Sequence, residues 1–182
     1  MVLYINSCVR KESRTDRIAR ALLEKLGEYT ELKLSEENIK PLDEETLAKR
    51  TALTASGDFS DGMFRFAKQF ASADTIVISA PFWDFSFPAS LKAYVENIYV
   101  TGIVSRYGED GVPVGLCRAK TLYYVVTAGG PYAPDFSFEY FRAMATQAFG
   151  IGEVRLIKAD MLDVIGFDAE KIVKETIESI SI

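Results

Sequence analysis

Ala80-Pro81-Phe82-Trp83-Asp84-Phe85-Ser86-Phe87-Pro88-Ala89-Ser90-Leu91-Lys92 is a stiff, aromatic-rich segment bracketed by two prolines. It follows the apolar run Thr75-Ile76-Val77-Ile78-Ser79, which reads as a buried strand. It leads into Leu91, Tyr94, Val95, Ile98 and Tyr99, apolar residues at helical spacing. A strand handing over to a helix in this way is the repeating unit of an α/β fold. In open α/β sheets ligands bind beyond the carboxyl ends of the strands, which is where this loop falls. Four rings in one loop expose apolar surface unless a flat ligand covers them, or unless they pack into the core or a subunit interface.

The same alternation extends to both sides. Val2-Leu3-Tyr4-Ile5-Asn6 reads as a first buried strand, and Ile18, Leu22 and Leu26, widened by Ala19 and Leu23, as the helix after it. Leu32 and Leu34 alternate with charged residues as a more exposed second strand. Residues 36–59 are polar and predict a short helix with loops. Met63, Phe66, Ala67 and Phe70 mark the next helix, capped by Ser60 or Asp61. After the quoted loop, a helix begins near Pro88, a residue suited to a first turn. Residues 102–119 form a long glycine-containing connection. Leu122 to Thr127 is a fourth strand, and Phe138, Phe141, Ala145 and Ala148 are the inward face of a helix. Val154 to Ala159 is a fifth strand, followed by a closing helix capped by Asp168. Five such units predict a doubly wound, five-stranded parallel sheet with helices on both faces. No repeat, low-complexity tract or linker divides residues 1–182, so one domain is expected.

Composition narrows the function. The chain has 182 residues, 48% hydrophobic and 26% charged, enough for a substantial core. A net charge of −5 argues against nonspecific nucleic-acid binding. No apolar run reaches membrane-span length and no basic-then-apolar leader is present, so the cytoplasm is the expected location. Cys8 and Cys117 have no metal-like spacing, and no metal is expected. There is no histidine, which removes the commonest general base and metal ligand. Chemistry here must rest on a bound cofactor, on backbone amides or on carboxylates.

In a parallel sheet the loops after strands one, three and four emerge at one edge. The first runs from Ser7 to Thr15, with hydroxyls at Ser7, Ser13 and Thr15 and positive charge at Arg10, Lys11, Arg14 and Arg17. With the free amides of a helix start it suits a phosphate, although Ser13 or Thr15 can equally be a plain helix cap. The second is the aromatic loop. The third, Thr127-Ala128-Gly129-Gly130-Pro131-Tyr132, allows close approach of backbone to ligand at two glycines. A phosphate end, a flat apolar middle and a backbone hydrogen-bonding end match the parts of flavin mononucleotide (FMN).

These motifs also carry a family resemblance over nearly the full length. The early S-x5-S-R-T from Ser7 to Thr15, the stretch from Ala80 through Gly102, and Thr127 to Tyr132 resemble the flavodoxin-like NAD(P)H dehydrogenases (quinone), in their FMN-dependent NADH-azoreductase branch. The resemblance implies a flavodoxin-like strand order of 2-1-3-4-5 and a homodimer with sites at the subunit interface. It implies that Ser7, Ser13, Arg14 and Thr15 hold the FMN phosphate and ribityl chain. Pro81, Phe82, Trp83, Asp84 and Phe85 would pack along the ring, with Thr127, Gly129, Gly130 and Tyr132 at its pyrimidine end. NADH or NADPH would donate hydride, and a quinone or azo compound would accept it in a second half-reaction. Catalytic groups would be the flavin and the backbone amides near Asp84 and Phe85. Trp83-Asp84 stands where Tyr-Asn is common, Arg14 where Gln is frequent, and Ala128 where a polar residue is usual. A carboxylate at Asp84 would oppose negative charge on a reduced ring unless it points away or is hydrogen-bonded.

Two rival readings come from other classes. One is a flavodoxin-like electron carrier without enzymatic activity. The other is a low-molecular-weight cysteine phosphatase, since Cys8-x5-Arg14-Thr15 fits its C-x5-R-[ST] loop, with Cys8 as nucleophile and Arg14 as phosphate ligand. Its interior, Val9-Arg10-Lys11-Glu12, lacks the usual glycine and adds a repelling carboxylate. Elsewhere, Glu36, Glu37, Asp43, Glu44 and Glu45 read as a solvated acidic face, Asp160 and Asp163 as loop residues, and Ser137 as a helix start.

Overall fold

A computed structural model describes residues 1–182. Its elements, in chain order, are β1 (Val2–Asn6), α1 (Arg14–Leu26), β2 (Tyr29–Lys33), α2 (Glu44–Ser56), α3 (Arg65–Ser72), β3 (Thr75–Pro81) and α4 (Ala89–Ile98). A small hairpin follows, β4 (Ser105–Tyr107) and β5 (Pro113–Gly115), then β6 (Thr121–Thr127), α5 (Phe138–Met144), β7 (Glu153–Ala159) and α6 (Ala169–Glu178). The five long strands are all parallel, in the order β2-β1-β3-β6-β7. With the hairpin set aside this is the expected 2-1-3-4-5 order of the flavodoxin-like fold.

Side-chain alternation explains why helices cover both faces. Leu3, Ile5, Ile76, Ile78, Leu122, Tyr124 and Val126 point to one face, where they are buried with Phe70 of α3, Leu91 and Tyr94 of α4, and Phe141 of α5. Tyr4, Val77, Tyr123 and Val125, one step out of phase, are buried on the other face with Ile18 and Leu22 of α1 and Val173 of α6. Two caps follow the sequence, with Ser13 accepting from the Asp16 amide and Asp168 from Lys171, whereas Asp61 accepts from Met63 to cap a 3-10 turn, Gly62–Phe64, that runs into an α3 without a side-chain cap of its own.

Three local expectations gain detail. The 36–59 region holds a 13-residue helix, α2, with no buried side chain. Asp43 caps it and Glu44 and Glu45 occupy its first turn; all three are solvated as expected, and they also offset the positive end of the helix. Glu36 and Glu37 pair with Lys33 and Arg65. Ser137 does start α5, and the side chain that caps this start is that of Asp135: its Oδ1 accepts from the amides of Ser137 and Phe138 at 2.9 and 2.8 Å. The Ser137 hydroxyl instead meets the buried Tyr124 hydroxyl at 2.6 Å.

One polar atom in the larger core has no partner. Tyr94 on α4 is buried and its hydroxyl makes no hydrogen bond. A buried unsatisfied hydroxyl costs about 1–3 kcal/mol. Tyr94→Phe is therefore expected to raise stability by about 1 kcal/mol or more, or about 2–4 °C in melting temperature for a domain of this size. A thermal melt that shifts downward would refute it.

Candidate functional site

The loops after β1, β3 and β6 meet at the carboxyl edge of the sheet, and the β7–α6 loop joins them. Together they enclose a cleft of about 320 Å³. The β1–α1 loop contributes Val9, Arg10, Glu12, Ser13, Arg14 and Thr15; the β3–α4 loop Pro81, Phe82 and Trp83; the β6–α5 loop Thr127, Ala128 and Gly129; and the β7–α6 loop Leu162 and Asp163.

At the β1–α1 loop, Ser13 is the helix cap, its Oγ accepting from the Asp16 amide at 3.3 Å. The preceding amides, those of Arg14 and Thr15, have no hydrogen-bond partner in the chain. They are the free donors of a helix start, at its positive end. Thr15 Oγ1 and Thr127 Oγ1 share a hydrogen bond of 2.6 Å, which ties the first loop to the third. Ser7 lies outside the cleft lining. It is buried, and its hydroxyl donates to the Ser79 carbonyl at 2.7 Å.

A buried polar network supports this loop from beneath. Tyr4 donates to Asp16 Oδ1 at 2.6 Å and shares a hydrogen bond with Ser79 Oγ at 2.8 Å. Burial first, then the Asp16 contact, drive the Tyr4 phenol far above its usual range, so it stays a donor. Arg20 bridges Asp16 and Glu31, and Asn6 Nδ2 donates to both carboxylates. Asn6 Oδ1 in turn accepts from the Cys8 amide at 2.9 Å, which fixes the start of the loop. Cys8 itself is only 2% exposed. Burial pushes its thiol up, the reverse of what a nucleophilic thiolate needs. The phosphatase reading fails on that geometry.

The aromatic loop is a two-residue hairpin. Trp83 and Ser86 exchange backbone hydrogen bonds of 3.1 and 2.8 Å across Asp84 and Phe85. Both turn residues are left-handed, with φ of 51° and 63°. Such pairs are normally Asn-Gly, and a bulky residue there is strained by about 1–2 kcal/mol. The strained turn leaves the amides of Asp84 and Phe85 without partners in the chain. It is clipped by the next loop: the Phe136 amide donates to the Phe85 carbonyl, and the Ser86 hydroxyl to the Phe136 carbonyl, each at 3.2 Å.

The four rings divide into two pairs. Phe82 packs on Tyr132 with centroids 4.6 Å apart, and Phe87 on Tyr140 and Phe141 at 5.2 and 5.1 Å. Trp83 and Phe85 remain 41% and 55% exposed at the lip. Phe136, 64% exposed and absent from the sequence-based candidates, stands beside them.

In the third loop the amides of Gly129 and Gly130 are also unpartnered, while their carbonyls accept from Asp163 and Met161. Gly129 lines the cleft, and its neighbour Gly130 is not part of the lining. Tyr132 also lies outside the lining: its ring supports Phe82, its amide donates to Asp160 and its hydroxyl donates to Asp135. Asp160 and Asp163 are thus engaged individually, Asp160 with Lys158 and Asp163 with Arg14. Sequence reasoning missed the β7–α6 loop, although β7 is as parallel as the others and delivers its loop to the same edge.

Comparison with known proteins places this geometry. The family model described as a flavodoxin-like fold matches residues 1–181. The "FMN-dependent NADH:quinone oxidoreductase 2" of Clostridium acetobutylicum is 38% identical over 191 residues, covering 97% of this chain and 94% of its own. A crystal structure of an azoreductase from Bacillus anthracis str. Sterne superposes with a TM-score of 0.83 at 21% identity, over 97% of this chain and 94% of that one. A Bacillus anthracis str. Ames Ancestor FMN-dependent NADH-azoreductase, solved in complex with FMN, gives a TM-score of 0.78 at 23% identity, over 97% and 93%. The two solved structures share the fold; the sequence match over nearly the whole of both chains adds the lineage. This chain belongs to the flavodoxin-like fold family and, within it, to the FMN-dependent NADH:quinone oxidoreductases.

Proposed function

We propose that residues 1–182 form one FMN-binding unit that passes reducing equivalents from NADH or NADPH to a quinone or azo-type acceptor in two successive half-reactions. Support comes from one arrangement above all: three loops that line a single cleft each carry a pair of unpartnered amides, Arg14 and Thr15, Asp84 and Phe85, and Gly129 and Gly130, with Arg14, Thr15 and Gly129 in the lining itself. Backbone donors left open in this way await an external acceptor. Their distribution suits FMN, with a cationic helix start for a phosphate monoester, apolar rings for a planar body and glycines at its polar edge.

FMN, when bound, supplies the hydride-accepting and hydride-donating chemistry that no side chain here provides. The chain's part is to bind, orient and exclude water. Arg14 and the first-turn amides of α1 hold the phosphate. Phe82 and Trp83 wall the cleft, and Phe85 extends the apolar lip on which a nicotinamide or acceptor would stack. The Asp84 and Phe85 amides donate to the edge of the ring system. The Gly129 and Gly130 amides donate where negative charge gathers on reduction, a preorganised form of electrostatic stabilisation. Asp84 is exposed and its carboxylate makes no hydrogen bond or ion pair within the chain, which lets it point to water. Ser7 acts from the second row, by holding the loop to β3.

The family reading extends to a cytoplasmic homodimer with sites at the subunit interface. No helix is long and apolar enough to cross a membrane. The purified protein is expected to be yellow, to bleach on addition of NADH or NADPH without oxygen, and to regain its colour with a small quinone. Parallel lines in double-reciprocal initial-rate plots would mark the two-step order. Colourless protein that takes up no added FMN defeats the proposal. Bleaching without turnover on small quinones points instead to an electron carrier.

A further inference from the structure

Arg14 and Asp163 are 149 positions apart in sequence and meet at the mouth of the cleft, Nη1 to Oδ1, at 2.9 Å. The same Nη1 also donates to the Leu162 carbonyl at 3.4 Å. Nε and Nη2 make no hydrogen bond in the chain, so one nitrogen anchors the guanidinium and the rest of its donor edge stays free.

Asp163 is held for this task by backbone. Its amide donates to the Gly129 carbonyl at 2.8 Å, and the Leu162 amide to the Ala128 carbonyl at 3.2 Å. Its carboxylate lies directly over Gly129: a Cβ there would fall 2.4 Å from Oδ2. Two loops, those after β6 and β7, therefore combine to fix one acceptor against a side chain from a third.

The charges lining the cleft balance. Arg10 and Arg14 face Glu12 and Asp163, two of each sign. An entering phosphate dianion meets no net positive lining, so its recognition depends on where donors point more than on total charge. That makes the orientation of Arg14 one contributor to recognition.

We propose that Asp163 is a positioning residue for phosphate recognition, holding Arg14 so that its free Nε and Nη2 donors serve the phosphate of FMN. This rests on the FMN reading above. The pair is largely solvent-exposed, with side chains 40% and 71% accessible, so the effect is modest, about fivefold in affinity.

The test compares FMN with riboflavin, which has the same ring and no phosphate, by quenching of flavin fluorescence. Asp163→Asn should weaken FMN about fivefold and riboflavin less than twofold, and Asp163→Glu should restore most of the FMN preference. In an Arg14→Gln background, which by itself lowers the FMN preference, Asp163→Asn should change nothing further. That non-additivity marks action through Arg14. Tighter FMN binding by Asp163→Asn would show that the carboxylate competes with phosphate, and overturns the proposal. Equal weakening of both flavins would show a merely structural role, and overturns it as well. A wild-type chain that binds neither flavin overturns this inference together with the FMN reading. A wild type that prefers FMN while Asp163→Asn leaves both affinities unaltered overturns this inference alone.

Discussion

Gly129→Val is expected to yield a folded protein whose affinity for FMN falls on the order of a hundredfold, about 2.7 kcal/mol. A Cβ at this position would come within 2.4 Å of Asp163 Oδ2 and 3.2 Å of its Cγ. Those atoms are the far end of an exposed side chain, which can swing aside into water. The fold thus loses little, and the melting temperature should stay within a few degrees of wild type. The cleft suffers more. Valine's two methyls project from one of its walls beside the open Gly129 amide, and the displaced Asp163 no longer anchors Arg14. Gly130→Ala is the internal control, because a Cβ there meets nothing within 4 Å. Titration of flavin fluorescence decides the matter. If Gly129→Val and Gly130→Ala bind FMN equally well, the cofactor does not pass close to Gly129 and its placement in this cleft is wrong.

The parts of this molecule that could be read from sequence are those fixed by short-range periodicity. Runs such as Thr75 to Ser79 and Leu122 to Thr127 are buried on both faces, so they read as parallel strands, and their order then places three loops at one edge. The β4–β5 hairpin was not legible. Its strands are three residues each, Ser105–Tyr107 and Pro113–Gly115, too short to show a period and half polar. Asp163 reads as a loop residue and is one, but nothing local reveals a partner 149 positions away. Ser7 reads in sequence as a phosphate-loop hydroxyl, yet it extends β1 and its hydroxyl turns to the neighbouring strand β3 instead. The left-handed pair Asp84–Phe85 runs against residue preference altogether. It exists because the clip from Phe136 and the backbone exchange between Trp83 and Ser86 impose it. Strain of that kind collects at functional sites, and only the folded structure reveals it.

Gly115→Ala should be the most destabilising glycine-to-alanine change in this chain, at about 3 kcal/mol or more. At the end of β5 a Cβ would stand 2.1 Å from Phe149 C and Gly150 N, both backbone atoms that cannot rotate away. Relief would require the β4–β5 hairpin to part from the π-helical turn Ala145–Phe149 after α5, where Phe149 is buried against Phe70. Gly150 cannot move freely to help, because it is itself left-handed, with φ of 76°. Its amide already donates to the Ala145 carbonyl. The contrast with nearby Gly152 isolates the cause. There the backbone is not left-handed and an added Cβ meets nothing within 4 Å, so Gly152→Ala should be neutral or slightly stabilising. For a chain of this size the difference between the two variants corresponds to about 6–12 °C in melting temperature. The hairpin contributes no residue to the cleft, so flavin binding by the still-folded fraction of Gly115→Ala should match wild type. A Gly115→Ala variant that melts together with Gly152→Ala would mean that β5 does not pack against Gly150 as described.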